Sequence, residues 1–415
     1  MRLLARLLKS CIVRGRFRII DAYGRHHEFG TGHDGPDVII RLHDPALHWK
    51  LATDPELAAA EAYMAGTLTL EDGSTCLDFI TLFFINPAPM GLYPLQHRLS
   101  RLWERLRRFH QGHMIGRTER DVRHHYDLST DLYRLFLDDG LNYSCAYYRT
   151  PDDTLEQAQA AKLDHILAKL DLKPGMRVLE IGGGWGSLAM RMGEAGAEVT
   201  SLNVSPEQIA VAEARVAEAG LERTVRFVRQ DYRTFSGKFD RIVSVGMMEH
   251  VGIGRLDGYF AKVRDCLEPG GYAMIHSIGR MAPPGSAGPF ILKYIFPGGY
   301  CPALSEVMTS VERLGLWVCD MEVLRLHYYY TIRAWRQRFE ARRDEAARLY
   351  DERFCRMWEF YLCGVEISFL HGINMVFQLM LSLERDAVPI LRDFIVDNER
   401  ELRGDIQHIR HAATK

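Results

Sequence analysis

The second half of the chain alternates short apolar runs with longer stretches whose apolar residues recur at helical spacing. Short buried runs between helical segments are typical of parallel strands joined by crossover helices. The pattern therefore predicts an α/β fold, a doubly wound parallel sheet whose ligand lies at the carboxyl ends of the strands. The strand candidates are 177–181, 198–204, 225–229, 239–245 and 271–278, with 316–326 and 373–381 completing the sheet after an insertion at 279–303.

The first ninety residues have a different pattern. Alternating runs at 17–20 and 38–42 predict short strands, and 54–64 predicts a helix, so we expect a small α+β domain. Three prolines and a glycine between 87 and 94 break this pattern and indicate a boundary. The predicted segments are an N-terminal domain at 1–90, a basic linker at 91–123, a main domain at 124–385 and a C-terminal helical extension at 386–415.

The basic segment, residues 97–123, holds eight arginines against three acidic residues, and leucines recur in it at helical spacing. One interpretation is a solvated helical linker. The other is a patch that meets anionic phospholipid, to which each basic residue near the surface contributes about 1 kcal/mol.

Composition narrows the class of protein. The chain has 415 residues, of which 47% are hydrophobic, and a net charge of −2, which disfavours nucleic acid as a partner. Its eight cysteines are scattered without a Cys-x-x-Cys pair, which fits a reducing cytosol better than a disulfide scaffold. Arg6 and Lys9 interrupt the N-terminal apolar stretch, unlike a signal peptide, and the apolar run at 367–383 contains polar residues, so we read it as core.

The run at 178–186 ends the first predicted strand in an acidic residue followed by alternating glycines. Glu180 precedes Gly182, Gly184 and Gly186, and a helical segment follows. Such glycines let the backbone approach a ligand closely. An acid just before the first glycine is the form common in S-adenosylmethionine (SAM) methyltransferases. The alternative is a tight strand-to-helix turn without a ligand.

The ends of the next two strands supply further cofactor candidates. Asn203 stands where the ribose usually lies, and as an amide it can accept one hydrogen bond and donate another. Gln208 follows in the next predicted helix. After the third strand, where adenine usually lies, come Gln230, Asp231 and Tyr232. The alternative for Asp231 is a helix cap or turn residue.

Five separated motifs occur in order at 142–148, 178–186, 244–252, 276–279 and 293–299. Together they resemble the cyclopropane fatty acid synthase family, which includes the mycolic acid cyclopropane synthases. The resemblance runs from about 124 to 383, and residues 61–66 look like the family's N-terminal lipid-associated domain.

The resemblance implies that SAM methylates a cis double bond of an acyl chain and that the resulting cation loses a proton to close a cyclopropane. It implies that Tyr143 and Ser144 contact the methionine part of SAM. It also implies a bound bicarbonate that removes the proton, with ligands matching Cys145, Glu249, His276 and Tyr328. Three of these have a structural alternative: a buried small hydrophobe for the cysteine, a helix cap for the glutamate and a satisfied core histidine for His276. Tyr328 is chosen over the adjacent Tyr329 and Tyr330 because 334–335 fixes the register against the family pattern.

One departure from the family pattern concerns this anion. Val365 stands where the family has a second cysteine, and Cys363 lies about 200° away around a helix, so it does not replace the thiol. The departure puts the need for bicarbonate in question. Our hypothesis is that the neighbouring Glu366 occupies the bicarbonate site as a built-in base, sharing the donors His276 and Tyr328. The alternative is that Glu366 pairs with an arginine or faces solvent.

Three functions follow from these patterns. The first is cyclopropanation of an unsaturated phospholipid. The second is SAM-dependent C-methylation that yields a methyl- or methylene-branched chain without ring closure, and the third is a lipid-binding protein with an inactive methyltransferase fold. We expect a cytoplasmic protein in peripheral contact with anionic membrane, with no nucleic acid partner and no metal; the resemblance also allows a homodimer.

Overall fold

The computed structural model describes residues 1–86 and 128–404, which divide into two units. The first unit comprises 1–86, Gly285–Gly299 and Tyr329–Asn374, and the second comprises the remaining described residues. The predicted basic linker at 91–123 lies outside the described residues. The division differs from the predicted boundaries, because 285–299 and 329–374 had been placed in the main domain.

The first unit contains a four-stranded sheet with the strand order β2-β1-β3-β4. Strand β1 pairs in parallel with β3 and antiparallel with β2, while β4 lies antiparallel to β3. The predicted small α+β domain is thus present. Its elements are α1 (Arg2–Cys11), β1 (Arg16–Ile20), β2 (His26–Gly30), β3 (Asp37–Leu42), α2 (Leu47–Thr53), α3 (Pro55–Met64), β4 (Leu68–Glu71) and α4 (Cys76–Ile85).

The second unit contains a seven-stranded sheet. Its strands are β5 (Arg177–Ile181), β6 (Glu198–Asn203), β7 (Val225–Arg229), β8 (Phe239–Val245), β9 (Leu267–Arg280), β10 (Trp317–Val323) and β11 (Asn374–Ser382). The helices around them are α5 (Thr130–Arg134), α6 (Leu155–Leu170), α7 (Ser187–Glu194), α8 (Pro206–Glu218), α9 (Leu256–Cys266) and α10 (Leu304–Arg313). The strand order is β10-β11-β9-β8-β5-β6-β7.

This sheet confirms the predicted doubly wound fold, with all seven strands where the apolar runs indicated, but it is not parallel throughout, because β10 runs antiparallel to β11. Strand β5 pairs in parallel with both β6 and β8. Alternate residues of β5 enter different layers of core: Leu179 packs with Ile242 and Ile275, whereas Val178 packs with Val243. Because the connections reverse direction at β5, a crevice opens beyond its carboxyl end, where such sheets bind ligands.

Three further helices follow β10: α11 (His327–Ala341), α12 (Arg343–Leu349) and α13 (Glu352–Leu370). Phe360 of α13 lies 6.1 Å from the ring of Tyr63 in α3 and 5.0 Å from the ring of Phe290. These aromatic contacts join α13 and the segment around Phe290 to the first unit. The pattern of residues along the chain did not indicate this arrangement.

The apolar run at 367–383 is core, as predicted, because it is divided between the end of α13 and the buried strand β11. Within 1–86 and 128–404, none of the helices combines the length and apolar character needed to cross a bilayer. The predicted C-terminal helix is shorter than expected: α14 covers Asp393–Leu402, the stretch before it is not helical, and the residues after 404 lie outside the described part.

Candidate active site

The glycine turn between β5 and α7 has the backbone conformation that requires glycine. Gly182, Gly184 and Gly186 have φ angles of +90°, +52° and +89°. At Gly183 a Cβ atom would lie 1.9 Å from Oγ of Ser201, so the side chain of Ser201 occupies the space that a Cβ would need. The turn therefore brings bare peptide groups to the crevice at the switch point.

A cavity at this crevice gathers ten of the eleven predicted cofactor residues. The predicted residues that line it are Tyr143, Ser144, Glu180, Gly182, Gly184, Asn203, Gln208, Gln230, Asp231 and Tyr232. Gly186 is the exception, since its Cα faces Phe227 and Ala212, where a Cβ would approach within 2.9 and 3.0 Å. Its role is thus close packing of α7, while the other predicted residues surround one ligand-sized space.

Glu180 places a buried carboxyl in the wall of this cavity. Oγ of Ser201 donates to its Oε2 over 2.6 Å, and burial raises the pKa of the carboxyl to about 7 despite that bond and nearby Lys162. A carboxyl with a pKa near 7 ionises readily when an ammonium group approaches, and the carboxylate then accepts hydrogen bonds from that group. The site therefore fits the amino end of the SAM methionine.

Lys162 lines the same cavity and was missed in the sequence, where it reads as one more polar residue of helix α6. Its side chain is 2% exposed, and its Nζ donates to Oδ1 of Asn142 at 3.0 Å and to Oγ of Ser144 at 3.2 Å. Burial lowers the pKa of the ammonium to about 8, which Asp138 partly opposes. An ammonium has three donors, so after these two bonds one N–H is left for an anionic ligand group.

Asn203 lines the cavity, and its amide also makes hydrogen bonds within the protein. Its Nδ2 donates to the carbonyl of Gly184 and to Oε1 of Gln208, both at 3.0 Å, and its Oδ1 accepts from the backbone N–H of Ser205. Both amide hydrogens are therefore used within the protein. Because Oε1 of Gln208 faces Asn203, the Nε2 of Gln208 is oriented to donate elsewhere, which makes Gln208 the better candidate for a cofactor hydroxyl.

Asp231 is a turn cap that also faces the cavity. It caps the 3₁₀ turn Tyr232–Thr234, accepting from the backbone N–H of Arg233 at 2.9 Å. Burial would raise the pKa of its carboxyl, but the hydrogen bonds from Arg233 outweigh this effect and lower it. The carboxylate is thus held ionised at the place predicted for adenine.

Glu249 lies in the 3₁₀ turn Met248–His250 that follows β8, and His276 lies on the neighbouring parallel strand β9, paired with Val245 at the end of β8. Oε1 of Glu249 accepts the backbone N–H of Ile278 at 2.5 Å, while its Oε2 is buried without a hydrogen-bond partner among the described residues. Burial raises the pKa of Glu249 to about 7 and lowers that of His276 to about 3. Near neutral pH the pair therefore offers a carboxyl that can hold a proton and an uncharged imidazole.

The unpartnered Oε2 bears on whether an anion fits beside Glu249. A buried polar atom without a partner costs free energy unless a ligand or water satisfies it. A protonated carboxyl can donate to an anion of the carboxylate type, so the donor set fits bicarbonate. The alternative of a simple helix cap does not account for the bond from Oε1 to Ile278, because Ile278 belongs to the neighbouring strand β9.

Cys145 and Tyr328 lie in segments that contact each other. Cys145 is 1% exposed and its thiol donates to the carbonyl of Ala146, and Tyr328 is buried in the first turn of α11. The backbone N–H of Tyr148 donates to Nδ1 of His327 at 2.9 Å, which joins the two segments. Cys145 also lies within electrostatic range of Lys162 at the cavity. The convergence of Cys145, Glu249, His276 and Tyr328 on one anion remains a prediction.

Arg336 is the arginine partner of Glu366 that the sequence allowed but did not identify. It is 2% exposed on α13, and Nε of Arg336 donates to its Oε2 at 2.6 Å within the first unit. Burial raises the pKa of the carboxyl, and Arg336 opposes that shift. The arginine removes the energetic argument that a buried, unpaired carboxylate must have a catalytic task. A role as base thus has to be tested directly.

The chain matches known proteins over most of its length. The family model described as mycolic acid cyclopropane synthetase matches residues 113–379. A cyclopropane-fatty-acyl-phospholipid synthase of Escherichia coli is 37% identical over 353 residues, which cover 83% of this chain and 87% of the relative. The tuberculostearic acid methyltransferase UfaA1 of Mycobacterium tuberculosis is 36% identical over 362 residues, covering 84% of both chains.

The solved structures that resemble this chain include the mycolic acid cyclopropane synthase CmaA1 in complex with SAH and CTAB. It is 33% identical with a TM-score of 0.61, and the match covers 63% of this chain and 97% of that one. The cyclopropane synthase MmaA2 from Mycobacterium tuberculosis is 34% identical with the same TM-score, and the match covers the same shares of both chains.

Proposed function

Because this chain belongs to the mycolic acid cyclopropane synthetase family, we propose that it transfers a methylene group from SAM to the cis double bond of an unsaturated acyl chain in a membrane phospholipid, forming a cyclopropane. The observation that carries the proposal is the unpartnered, buried Oε2 of Glu249 at the end of β8. Neighbouring Met247 and His250 line the cofactor cavity, so this acid lies next to the place where a methyl group would be delivered.

The reaction requires little covalent chemistry from the protein. The alkene attacks the sulfonium methyl, the C–S bond breaks, and the carbocation loses one proton from the new methyl group as the ring closes. The protein has to align methyl and alkene, exclude water and accept that proton. We propose that bound bicarbonate supplies the base. Glu249 would hold it by donating from a carboxyl that is protonated near neutral pH, and His276 by donating from an uncharged ring.

Glu366 is the other candidate for the general base. The observation in its favour is a buried carboxyl whose pKa is raised by burial, beside a valine that replaces a family cysteine. The ion pair with Arg336 counts against it. Activity in bicarbonate-depleted buffer separates the two: strong dependence on added bicarbonate excludes Glu366 as the base, and so does a Glu366→Gln variant with full activity.

Branching without ring closure is the second candidate, because two relatives are named as methyltransferases of a fatty acid or of tuberculostearic acid. Besides UfaA1, a probable fatty acid methyltransferase of Pseudomonas putida is 42% identical over 264 residues, or 61% of this chain and 67% of that relative. A methyl-branched, unsaturated chain forms when the cation loses a proton from a carbon of the acyl chain. A methylene branch forms when a hydride shift moves the cation to the methylated carbon before the new methyl group loses its proton. Ring and branched products have the same mass when the branched chain keeps its double bond.

The test is lipid analysis of a host rich in cis-monounsaturated phospholipid, before and after expression of the chain. Gas chromatography and NMR of the fatty acids distinguish ring from branch. The proposal expects cyclopropane signals with the parent chain and their loss with Glu249→Gln at equal protein level. Unchanged lipids together with no SAM binding by calorimetry would instead favour the inactive, lipid-binding alternative.

We also propose peripheral contact with anionic membrane, through the basic segment at 97–123. Co-sedimentation with vesicles tests it. Binding to vesicles with anionic phospholipid should fall steeply with salt, because screening shortens the reach of surface charges to about 10 Å at 0.1 M. Equal binding to neutral vesicles would contradict an electrostatic contact.

A further inference from the structure

A buried chain of polar side chains leads away from His276 through the second unit. Nε2 of Gln378 lies 3.1 Å from Nδ1 of His276, and Oε1 of the same amide accepts from Nζ of Lys169 at 2.7 Å. Gln378 and Lys169 are fully buried, and His276 is 2% exposed. The three residues come from β11, α6 and β9, so the chain joins two strands of the sheet to the helix that covers it.

The donor direction at each link follows from the chemistry of the groups. A lysine ammonium has donors and no acceptor, so the atom of Gln378 that faces Lys169 must be the carbonyl oxygen. The amide nitrogen then faces His276 and donates to Nδ1. A neutral imidazole that accepts at Nδ1 carries its proton on Nε2. The orientation of one amide therefore selects the tautomer of the histidine.

Lys169 is itself held from the other side. Its Nζ lies 2.5 Å from Oε2 of Glu322 on β10, and Nε2 of His165 lies 2.8 Å from the same carboxylate. Nδ1 of His165 contacts Glu399 on α14. The charge of Lys169 is thus matched by Glu322, with Asp320 at 4.0 Å beyond it. His165 and Lys169 are four residues apart, so one face of α6 carries both.

We propose that Lys169 is a positioning residue for His276: by orienting the Gln378 amide, it holds His276 as the neutral tautomer with its proton on Nε2. Nε2 of His276 then donates a hydrogen bond to the anion that accepts the proton of the reaction. In the other tautomer, Nε2 would present a lone pair that repels the anion. This inference rests on the proposed function for its consequence, although the tautomer itself does not depend on any substrate. It also gives the C-terminal helix a connection to the site, through Glu399.

The competing account is that the network only fastens α6 and α14 to the sheet. A purely structural role predicts that substitution at Lys169 changes stability but leaves the His276 tautomer and the response to bicarbonate as they were. The tautomer is therefore the decisive readout. Long-range ¹⁵N–¹H spectra of the full chain labelled with [¹⁵N]histidine report which ring nitrogen carries the proton. A His276→Asn variant identifies its signals among those of the 17 histidines.

We expect His276 of the parent chain to be protonated on Nε2 alone at neutral pH. In Lys169→Met, which keeps the length but removes the donor, the amide can rotate and both tautomers should appear. The rate constant at saturating SAM should fall on the order of 10- to 100-fold, as for other residues that orient a site group, with a weaker response to bicarbonate. Lys169→Arg, which again only donates, should restore the single tautomer. Lys173→Met, which removes an exposed lysine paired with Asp171, is the matched control and should behave like the parent.

A proton on Nδ1 of His276 in the parent chain overturns the inference, even if Lys169 variants do not fold. So does a folded Lys169→Met variant with the parent's tautomer and bicarbonate response. The proposed function fails separately: if the tautomers behave as expected but the parent forms no cyclopropane lipid, the positioning role stands and the reaction is wrong. Ring formation with His276 protonated on Nδ1 would instead support the reaction and exclude the positioning role.

Discussion

The backbone N–H of Ile278 donates to Oε1 of Glu249 over 2.5 Å, and so fixes the carboxyl with its other oxygen buried and unpartnered among the described residues. One oxygen is thus used to hold the group and the other is left for a ligand. Burial keeps the pKa of the same carboxyl near 7, which lets it donate as well as accept. Glu249 is therefore both anchored to the sheet and available to an anion.

Glu249 should make the protein less stable as the pH rises. Its pKa in the folded chain is about 7 against an ordinary value of 4.5, so between these values the folded state holds a proton that the unfolded chain has released. The free energy of unfolding then falls with rising pH, by up to about 3 kcal/mol for this shift. Urea unfolding of the parent and of Glu249→Gln at pH 5 and pH 8 measures it.

The variant should be the more stable protein at pH 8 and the less active one, because the amide cannot ionise and cannot share a proton with an anion. Near pH 5 the two stabilities should converge. Glu180, whose pKa is also raised to about 7, adds a second slope of the same sign that both proteins share. Parallel pH profiles for the two proteins would contradict the shifted pKa of Glu249.

The pair of Arg336 and Glu366 should behave as a buried ion pair. Removing Arg336 leaves the buried Glu366 carboxylate uncompensated, so Arg336→Met should lower the free energy of unfolding by about 3 to 5 kcal/mol. Glu366→Leu should cost less, because Arg336 keeps its bonds to both carboxylate oxygens of Glu340 at 2.9 Å. The double variant should recover most of the loss caused by Arg336→Met. Thermal or urea unfolding of the four proteins completes the cycle.

Activity of the double variant decides the role of Glu366. If the pair is structural, the stable double variant should retain most of its activity and its dependence on bicarbonate. If the double variant folds but has no activity, and the activity of the parent does not depend on bicarbonate, Glu366 is the base.

Most of the sheet could be predicted because its central strands, such as β9 and β11, are buried along most of their length and read as apolar runs. The same local logic found the glycine turn, where positive φ angles and the close approach of Ser201 require glycine. It did not find Lys162, since one lysine on a helix looks like a solvated residue. Nor did it find that Arg336 meets Glu366, because the two residues are distant in sequence and no periodicity joins them.

Lys162 should contribute to SAM binding through its remaining N–H. Lys162→Met removes the donor with little change in side-chain length, and loss of a charge-assisted hydrogen bond of about 1.5 to 3 kcal/mol weakens binding on the order of tenfold to a hundredfold. Calorimetric titration with SAM measures the change. Lys262→Met, which removes a lysine that bonds the carbonyl of Phe235 away from the cavity, should bind SAM like the parent. Equal affinities for all three proteins would exclude a contact.

Gly183 should tolerate no side chain. In Gly183→Ala the new Cβ would lie 1.9 Å from Oγ of Ser201 and 2.8 Å from Oε2 of Glu180. Overpacking of this kind costs about 1 to 3 kcal/mol, and displacement of Glu180 should also weaken SAM binding. A second change, Ser201→Ala, should restore part of the stability by removing the nearest atom. Gly258→Ala, on α9 with open space around its Cα, is the control and should be neutral or stabilising. A stable Gly183→Ala variant with normal affinity would show that the turn is looser than described.

The most direct test of the account follows the hydrogens of the transferred carbon. Purified protein is given SAM with a CD₃ group and vesicles of a cis-monounsaturated phospholipid, and the product fatty acid is examined by mass spectrometry and NMR. Loss of the proton from the new methyl group predicts a cyclopropane that retains two of the three deuterium atoms. A ring-free product would contradict cyclopropanation, whether it is a methyl branch that retains all three deuterium atoms or a methylene branch that retains two, and would identify the chain as a C-methyltransferase of another product type.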